Sequence, residues 1–189
     1  MAIQTITHDQ ILRINYFSRL TEDQAGKVAR IVQPTSVAAG DDIITDGESG
    51  DSMFLLLQGQ VEVSKNLFVK GSDGFHQARK AMVRLESKEP PPAEKPNDPS
   101  SVLTIPGFFA FGEMALFDEN SKRSATVTAT TPCDLGIIKN ADFVHLAESD
   151  TDVGFRVFMN IAKKLSEDLN RANQDVLNLT TAFSFALQR

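Results

Sequence analysis

Two rhythms of apolar and polar residues alternate along the chain. Ile11, Leu12, Ile14 and Phe17 mark a short amphipathic helix or turn. Thr21-Glu22-Asp23-Gln24 is a capping box, and Ala25, Val28, Ala29 and Val32 continue from it at helical spacing until Pro34 ends the pattern. From residue 35 to 64 short apolar runs are broken by Gly40-Asp41-Asp42, Gly47-Glu48-Ser49-Gly50 and Gly59. Those breaks predict strands at Ile43-Ile44, over 53–57 and over 61–63, with a turn at Gln58-Gly59. Short strands with glycine corners predict an antiparallel jelly-roll barrel. The glycines themselves are read as turn residues.

Residues 66–101 carry weaker signals. A turn is predicted over 70–74, then 77–86. There Val83 and Leu85 alternate with Met82, Arg84 and Glu86 as in a strand, while Ala78, Ala81, Met82 and Leu85 also fit a helix. The strand reading makes a hairpin of unusual length. Residues 88–101 hold five of the eight prolines and few large apolar groups, which predicts a mobile excursion. The barrel resumes over 102–105 and 108–111. The last two strands fall over 125–130 and 133–139, around Pro132. A short helix starting at Asn140 or Asp142 follows, and Ser149-Asp150 is placed to cap another.

That last helix carries the longest unbroken pattern. Phe158, Ala162, Leu165, Leu169, Ala172, Val176, Leu179, Phe183 and Ala186 recur at steps of four and three. A heptad seam of this length predicts a coiled coil and a homodimer. The alternative is a helix lying along its own barrel, which it would overhang. Division of the chain follows: residues 1–148 form a barrel domain with N-terminal helices and an inserted loop at about 66–101, and 149–189 form a C-terminal dimerisation helix.

Composition narrows the function. Of 189 residues 41% are apolar and 23% charged, ordinary for a globular chain, and the net charge of −6 argues against a partner that is a polyanion such as nucleic acid. A single cysteine, Cys133, excludes an internal disulfide framework and makes a reducing cytoplasm the default. No apolar run is long enough to span a membrane. His8, His76 and His145 stand alone, without metal-ligand spacing, and nucleophile motifs of the G-x-S-x-G kind are missing, so neither a metal site nor an enzyme is expected.

The candidate chemistry lies in 111–127, FGEMALFDENSKRSATV. Gly112 enters an apolar run, Met114-Ala115-Leu116-Phe117, short enough for one helical turn, where backbone N–H groups can face an anion. Arg123 adds a fixed positive fork suited to phosphate, and the Ser124 hydroxyl a second donor. Glu113 would repel a phosphate and is better used as an acceptor for sugar hydroxyls. Together these describe a pocket for a small phosphorylated nucleoside.

Phe111-Gly112-Glu113-Met114-Ala115-Leu116 followed by Arg123-Ser124-Ala125 resembles the phosphate-binding cassette of the cyclic-nucleotide-binding domain family, shared by bacterial catabolite activator proteins and regulatory subunits of cyclic-AMP-dependent protein kinase. The resemblance implies a mainly β jelly roll with flanking helices. It implies a cyclic-nucleotide ligand, cyclic AMP before cyclic GMP, held by Gly112, Glu113, Met114, Ala115, Arg123 and Ser124. Glu113 would take the ribose 2′-hydroxyl; Arg123, Ser124 and the amides around Gly112 and Ala115 would take the cyclic phosphate. It also implies that the last helix dimerises and approaches the base near Asp168, Leu169 and Asn170. The chain stops where relatives hand over to a DNA-reading domain, so the expectation is a dimeric sensor acting on a separate effector protein. The competing expectation is a dimerising scaffold of the same fold that binds no nucleotide.

Overall fold

The computed structural model of the chain describes residues 6–71, 74–87, 104–117 and 122–187. The predicted capping box at Thr21 forms, and a second, not predicted from the sequence, forms at Thr7. Helix α1 (His8–Leu12) is capped by Thr7 and Gln10, and α2 (Glu22–Ile31) by Thr21 and Gln24; in the second, the Thr21 amide donates to Gln24 Oε1 at 2.9 Å. A 3₁₀ turn, η1 (Asn15–Phe17), lies between them and buries Tyr16 and Phe17.

Eight strands follow among the described residues: β1 (Gln33–Val37), β2 (Asp42–Ile44), β3 (Ser52–Gly71), β4 (Gly74–Ser87), β5 (Thr104–Pro106), β6 (Phe109–Phe111), β7 (Thr126–Ala129) and β8 (Cys133–Lys139). A second 3₁₀ turn, η2 (Glu113–Leu116), sits between β6 and β7, while α3 (Asn140–Ser149) and α4 (Thr151–Leu187) close the chain. Curled antiparallel sheet with flanking helices and a long last helix is the jelly-roll architecture the strand rhythm predicts.

Strand β3 organises the barrel. Its first half pairs with β8 and β6, and its second half with β7 and β4, so it belongs to both walls. The predicted turn at Gln58-Gly59 is therefore corrected to a bend within one strand. The register with β8 slips between Leu56 and Gln58, and Gly59 (φ 108°) passes so close to β8 that a Cβ there would lie 2.7 Å from Cys133 Sγ. Gln58-Gly59 has turn composition, but the pairing partners on both sides keep the backbone extended.

Two further differences concern edges. Strand β1 is absent from the sequence reading because Pro34 marks it as a terminator. It forms because β1 pairs only with β8, and proline is tolerated on an edge strand. Strand β5 runs parallel to β4, through Arg84↔Thr104 to Glu86↔Pro106, an exception to the expected antiparallel pairing. The strand reading of 77–86 holds: β4 pairs with β3 from Gly59↔Ser87 to Gly71↔Gly74, the long hairpin. The proline-rich 88–101 lies outside the described residues, as do 102–103 of the next predicted strand.

The core has two parts. One fills the barrel with Ile44, Leu56, Val61, Phe111, Val127 and Leu135. The other joins the helices to the outer face of the sheet through Phe17, Val28, Met53, Ile138, Phe143, Val157 and Ile161. Asp150 caps α4 as predicted, its Oδ1 accepting from the Val153 amide at 3.2 Å. Only the first turns of α4 are buried, through Val153, Gly154, Val157 and Ile161; of the heptad seam, Phe158 and Leu165 pack partly on the core. The residues from 169 to 187 are all exposed.

Candidate functional site

Arg123 is fixed from its backbone outward. Its amide donates to Glu48 O at 2.8 Å, and its carbonyl accepts from the Gly47 amide at 2.9 Å, so the residue is laced to the turn between β2 and β3. The side chain then lies across Gly50. A Cβ on Gly50 would stand 2.0 Å from Arg123 Nε, so only a glycine leaves that path open. Nη2 donates to Ser52 O at 2.8 Å and Nη1 to Gly112 O at 3.3 Å, while the guanidinium carbon lies 5.7 Å from the centre of the Phe54 ring. Phe54 in turn stacks on Phe111, centroids 5.7 Å apart.

Burial lowers the guanidinium's affinity for its proton, and Asp51 and Glu113 oppose that shift, so the group stays cationic. Of the five N–H donors of a guanidinium, two go to these carbonyls and the rest have no partner among the described residues. A desolvated cation with spare donors can receive an anion.

Gly112 supplies the opposite wall. It adopts the left-handed conformation (φ 77°) that caps η2, and a Cβ there would lie 2.7 Å from Arg123 Nη1 and 3.2 Å from Ile44. The turn that follows is pinned from behind. Asn140 is buried at the start of α3, and its Nδ2 donates to Ala115 O at 2.9 Å. Ala115 and Leu116 are buried, whereas Met114 is half-exposed.

Ser124 is exposed, and its carbonyl accepts from Lys65 Nζ at 3.0 Å. Residues 118–121, between η2 and Arg123, lie outside the described residues.

Glu113 faces the helices. Burial raises its pKa, opposed by a backbone hydrogen bond, by Lys164 and by a hydrogen bond with the Tyr16 hydroxyl, while Asp168 pushes further upward. Burial likewise raises Tyr16, with Glu113 adding to the effect. Among the described residues no ion pair joins Glu113 to Arg123. The fold therefore joins Arg123 to Gly112, while the charge of Glu113 is influenced by Lys164 and Asp168 of α4 and in turn acts on Arg123. Of the residues the resemblance places near the base, Asp168 acts electrostatically on Glu113, and Leu169 is 62% exposed.

Sequence reasoning missed Gly50, Tyr16, Phe54 and Asn140. Gly50 left a signal, since a second glycine three residues after Gly47 exceeds what one turn requires. Tyr16 left none, because nothing local tells a core tyrosine from one that reaches a carboxylate 97 positions away. Among the described residues no cluster of three or more metal-ligating side chains forms, and no helix is long and apolar enough to cross a membrane.

Comparison with known proteins agrees with this fold. The chain is 27% identical over 137 residues to the cAMP-activated global transcriptional regulator CRP of Pasteurella multocida, covering 72% of this chain and 51% of that protein. It is 28% identical over 143 residues to a cyclic nucleotide-gated potassium channel of Mesorhizobium japonicum, covering 76% of this chain and 30% of the channel. Among solved structures, the catabolite activator protein of Thermus thermophilus superposes with a TM-score of 0.63 at 21% identity, over 88% of this chain and 63% of that one. No family model matches the chain. It thus spans about half the regulator's length and less than a third of the channel's. The chain has the fold of the cyclic-nucleotide-binding domains and resembles that family in sequence.

Proposed function

We propose that the chain is a cyclic-nucleotide-binding regulatory module that takes cyclic AMP, with cyclic GMP as the second candidate ligand. The observation that carries this is Arg123. A half-buried guanidinium is held in a slot that Gly50 and Gly112 leave open, and among the described residues it keeps unused donors. Maintaining a desolvated cation there is costly unless an anion completes it. In this reading Arg123, the Ser124 hydroxyl and the amides of Gly112 to Ala115 hold the cyclic phosphate, Met114 flanks the entrance, and Glu113 accepts from the ribose. The outer seam of α4 joins two copies, and the pair acts on a separate effector protein.

Isothermal calorimetry against cyclic AMP, cyclic GMP and linear 5′-AMP tests the reading. Binding of a cyclic nucleotide by wild type, lost in Arg123→Ala, is the expected result. No heat with any of the three would leave the dimerising scaffold as the better account, a reading favoured by the exposed apolar residues of outer α4.

A further inference from the structure

The long hairpin of β3 and β4 outruns the barrel. Pairing of β3 with β7 ends at Ser64, and pairing of β4 with β5 begins at Arg84. Between those rows and the turn, residues 65–71 and 74–83 pair only with each other among the described strands. A two-stranded ribbon standing alone is at best marginally stable in water. This one nevertheless carries large apolar side chains in the open: Phe68 is 77% exposed and Phe75 76%.

The register sorts the side chains by face and by distance from the turn. Lys70↔Phe75 and Phe68↔Gln77 put both phenylalanines on one face as diagonal neighbours, while Leu67 and Val69 belong to the other. Apolar groups therefore stand on both faces of the outer ribbon. Behind them come Asn66↔Arg79 and Lys65↔Lys80, the cationic rows. Arg79 is bound to Asp42 at 3.1 Å. Lys65, Lys70 and Lys80 form no ion pair among the described residues, and Lys65 Nζ donates only to the neutral carbonyl of Ser124 at 3.0 Å. In a chain of net charge −6, residues 64–82 hold four cations and a single acid, Asp73.

We infer that this hairpin docks on an anionic lipid surface, with its apolar outer rows in the boundary between headgroups and acyl chains and its lysines at the lipid phosphates. Two observations favour lipid over a protein or a nucleic acid. A folded partner presents one surface and covers one face of a ribbon, whereas a bilayer surrounds an inserted tip and removes both faces from water. The order of the rows also follows the layers of a membrane. From Phe75 back to Leu67 the apolar rows span about 10 Å at roughly 3.3 Å per residue, the depth an amphipathic element reaches into that boundary. The basic rows begin at the next pair, level with the headgroups. Lys70, opposite Phe75, has a stem long enough to carry its ammonium back to the same level. The net-acidic remainder of the chain is repelled by such a surface, which confines contact to the ribbon.

Flotation of the full chain with vesicles tests this, and it needs no nucleotide, so its outcome is separate from the proposed ligand. Wild type should rise with vesicles of equimolar phosphatidylserine and phosphatidylcholine. It should bind phosphatidylcholine alone roughly a hundredfold more weakly, the loss expected of three unpaired lysines. Replacing both exposed aromatics, Phe68→Ser with Phe75→Ser, should weaken binding to the anionic vesicles about tenfold or more. Lys70→Gln with Lys80→Gln should lower the preference for anionic over neutral vesicles by about tenfold. All four side chains are exposed, so melting temperatures should stay within a few degrees of wild type.

Wild type left in solution by both vesicles, or equal binding to both, overturns the inference. So does undiminished binding by the phenylalanine variant, which would assign the lipid contact to the exposed residues of outer α4. Sedimentation velocity without vesicles identifies the rival occupant. If the phenylalanine substitutions dissociate a wild-type assembly that vesicles do not recruit, the hairpin docks on a second copy of the chain and the lipid inference falls.

Discussion

The turn around Arg123 and the outer half of α4 spend their residues in opposite ways. Around Arg123 the amide, the carbonyl and the guanidinium all have partners within the chain, and Phe54, Gly50 and Gly112 shape the space around it. Beyond Leu165, α4 presents Leu169, Val176, Leu179 and Phe183 to solvent, each at least 60% exposed, and among the described residues the side-chain hydrogen bonds there stay inside the helix. The first region is finished by contacts within the chain. The second is unfinished, because an apolar stripe gains free energy only when another surface removes it from water.

The largest effects should come from breaking the finished region. Arg123→Ala should lower cyclic-nucleotide affinity by about 2–5 kcal/mol, or roughly thirty- to several-thousandfold, because it strips the counter-charge from a largely desolvated phosphate. Gly50→Ala should lose affinity on the same scale, since the new methyl expels the guanidinium from its slot. The displaced group is the end of a flexible side chain, so the melting temperature should move by only a few degrees. Calorimetry paired with thermal melts checks both, and normal binding by Gly50→Ala would show that the slot is not needed.

Within α4 the contrast can be measured directly. Ile161 is fully buried, and Ile161→Ala should cost about 2–5 kcal/mol in urea unfolding. Val176→Ala, 60% exposed in the single chain, should stay within about 0.5 kcal/mol at low protein concentration. Comparable losses at the two positions would mean that the outer helix packs on its own domain after all.

Leu169→Asp sharpens the same boundary from the side of association. A charge placed in each half of a desolvated seam should weaken self-association at least tenfold in sedimentation velocity while leaving the fold intact. If the helix also closes over the base, ligand and association are coupled, and nucleotide should tighten the wild-type dimer in the same measure. A wild type that stays monomeric at high concentration would remove the seam from the argument.

The smallest expected effect is a pH dependence. The folded pKa of Glu113 is raised above its ordinary 4.5, first by burial. Below that ordinary value folded and unfolded chains are both protonated and Glu113 costs nothing. As pH rises through it toward the raised folded value, the folded chain must ionise a buried acid and stability is lost. Asp42 and Asp51 are lowered, chiefly by hydrogen bonds from Thr128 and Ser52, and act in the opposite direction. Comparing wild type with Glu113→Gln cancels them. The stability of the variant relative to wild type should therefore grow between pH 4 and neutrality, and a flat difference would mean that Glu113 is not desolvated.

The order of the elements was legible in the sequence. The capping box at Thr21, the cap at Asp150, strands broken by glycine and proline, and the F-G-E and R-S pieces of the cassette are local signals, because each depends on residues within one turn or one strand. Which partner each strand finds was not legible. Pro34 reads as a stop until β8 gives it an edge to join, and Gln58-Gly59 reads as a turn until β8, β7 and β4 pair on both sides of it. Gly50, Tyr16 and Asn140 entered the site only through the tertiary structure. Their surroundings depend on groups roughly 25 to 100 positions away, and only the packing of the barrel decides which of those come together.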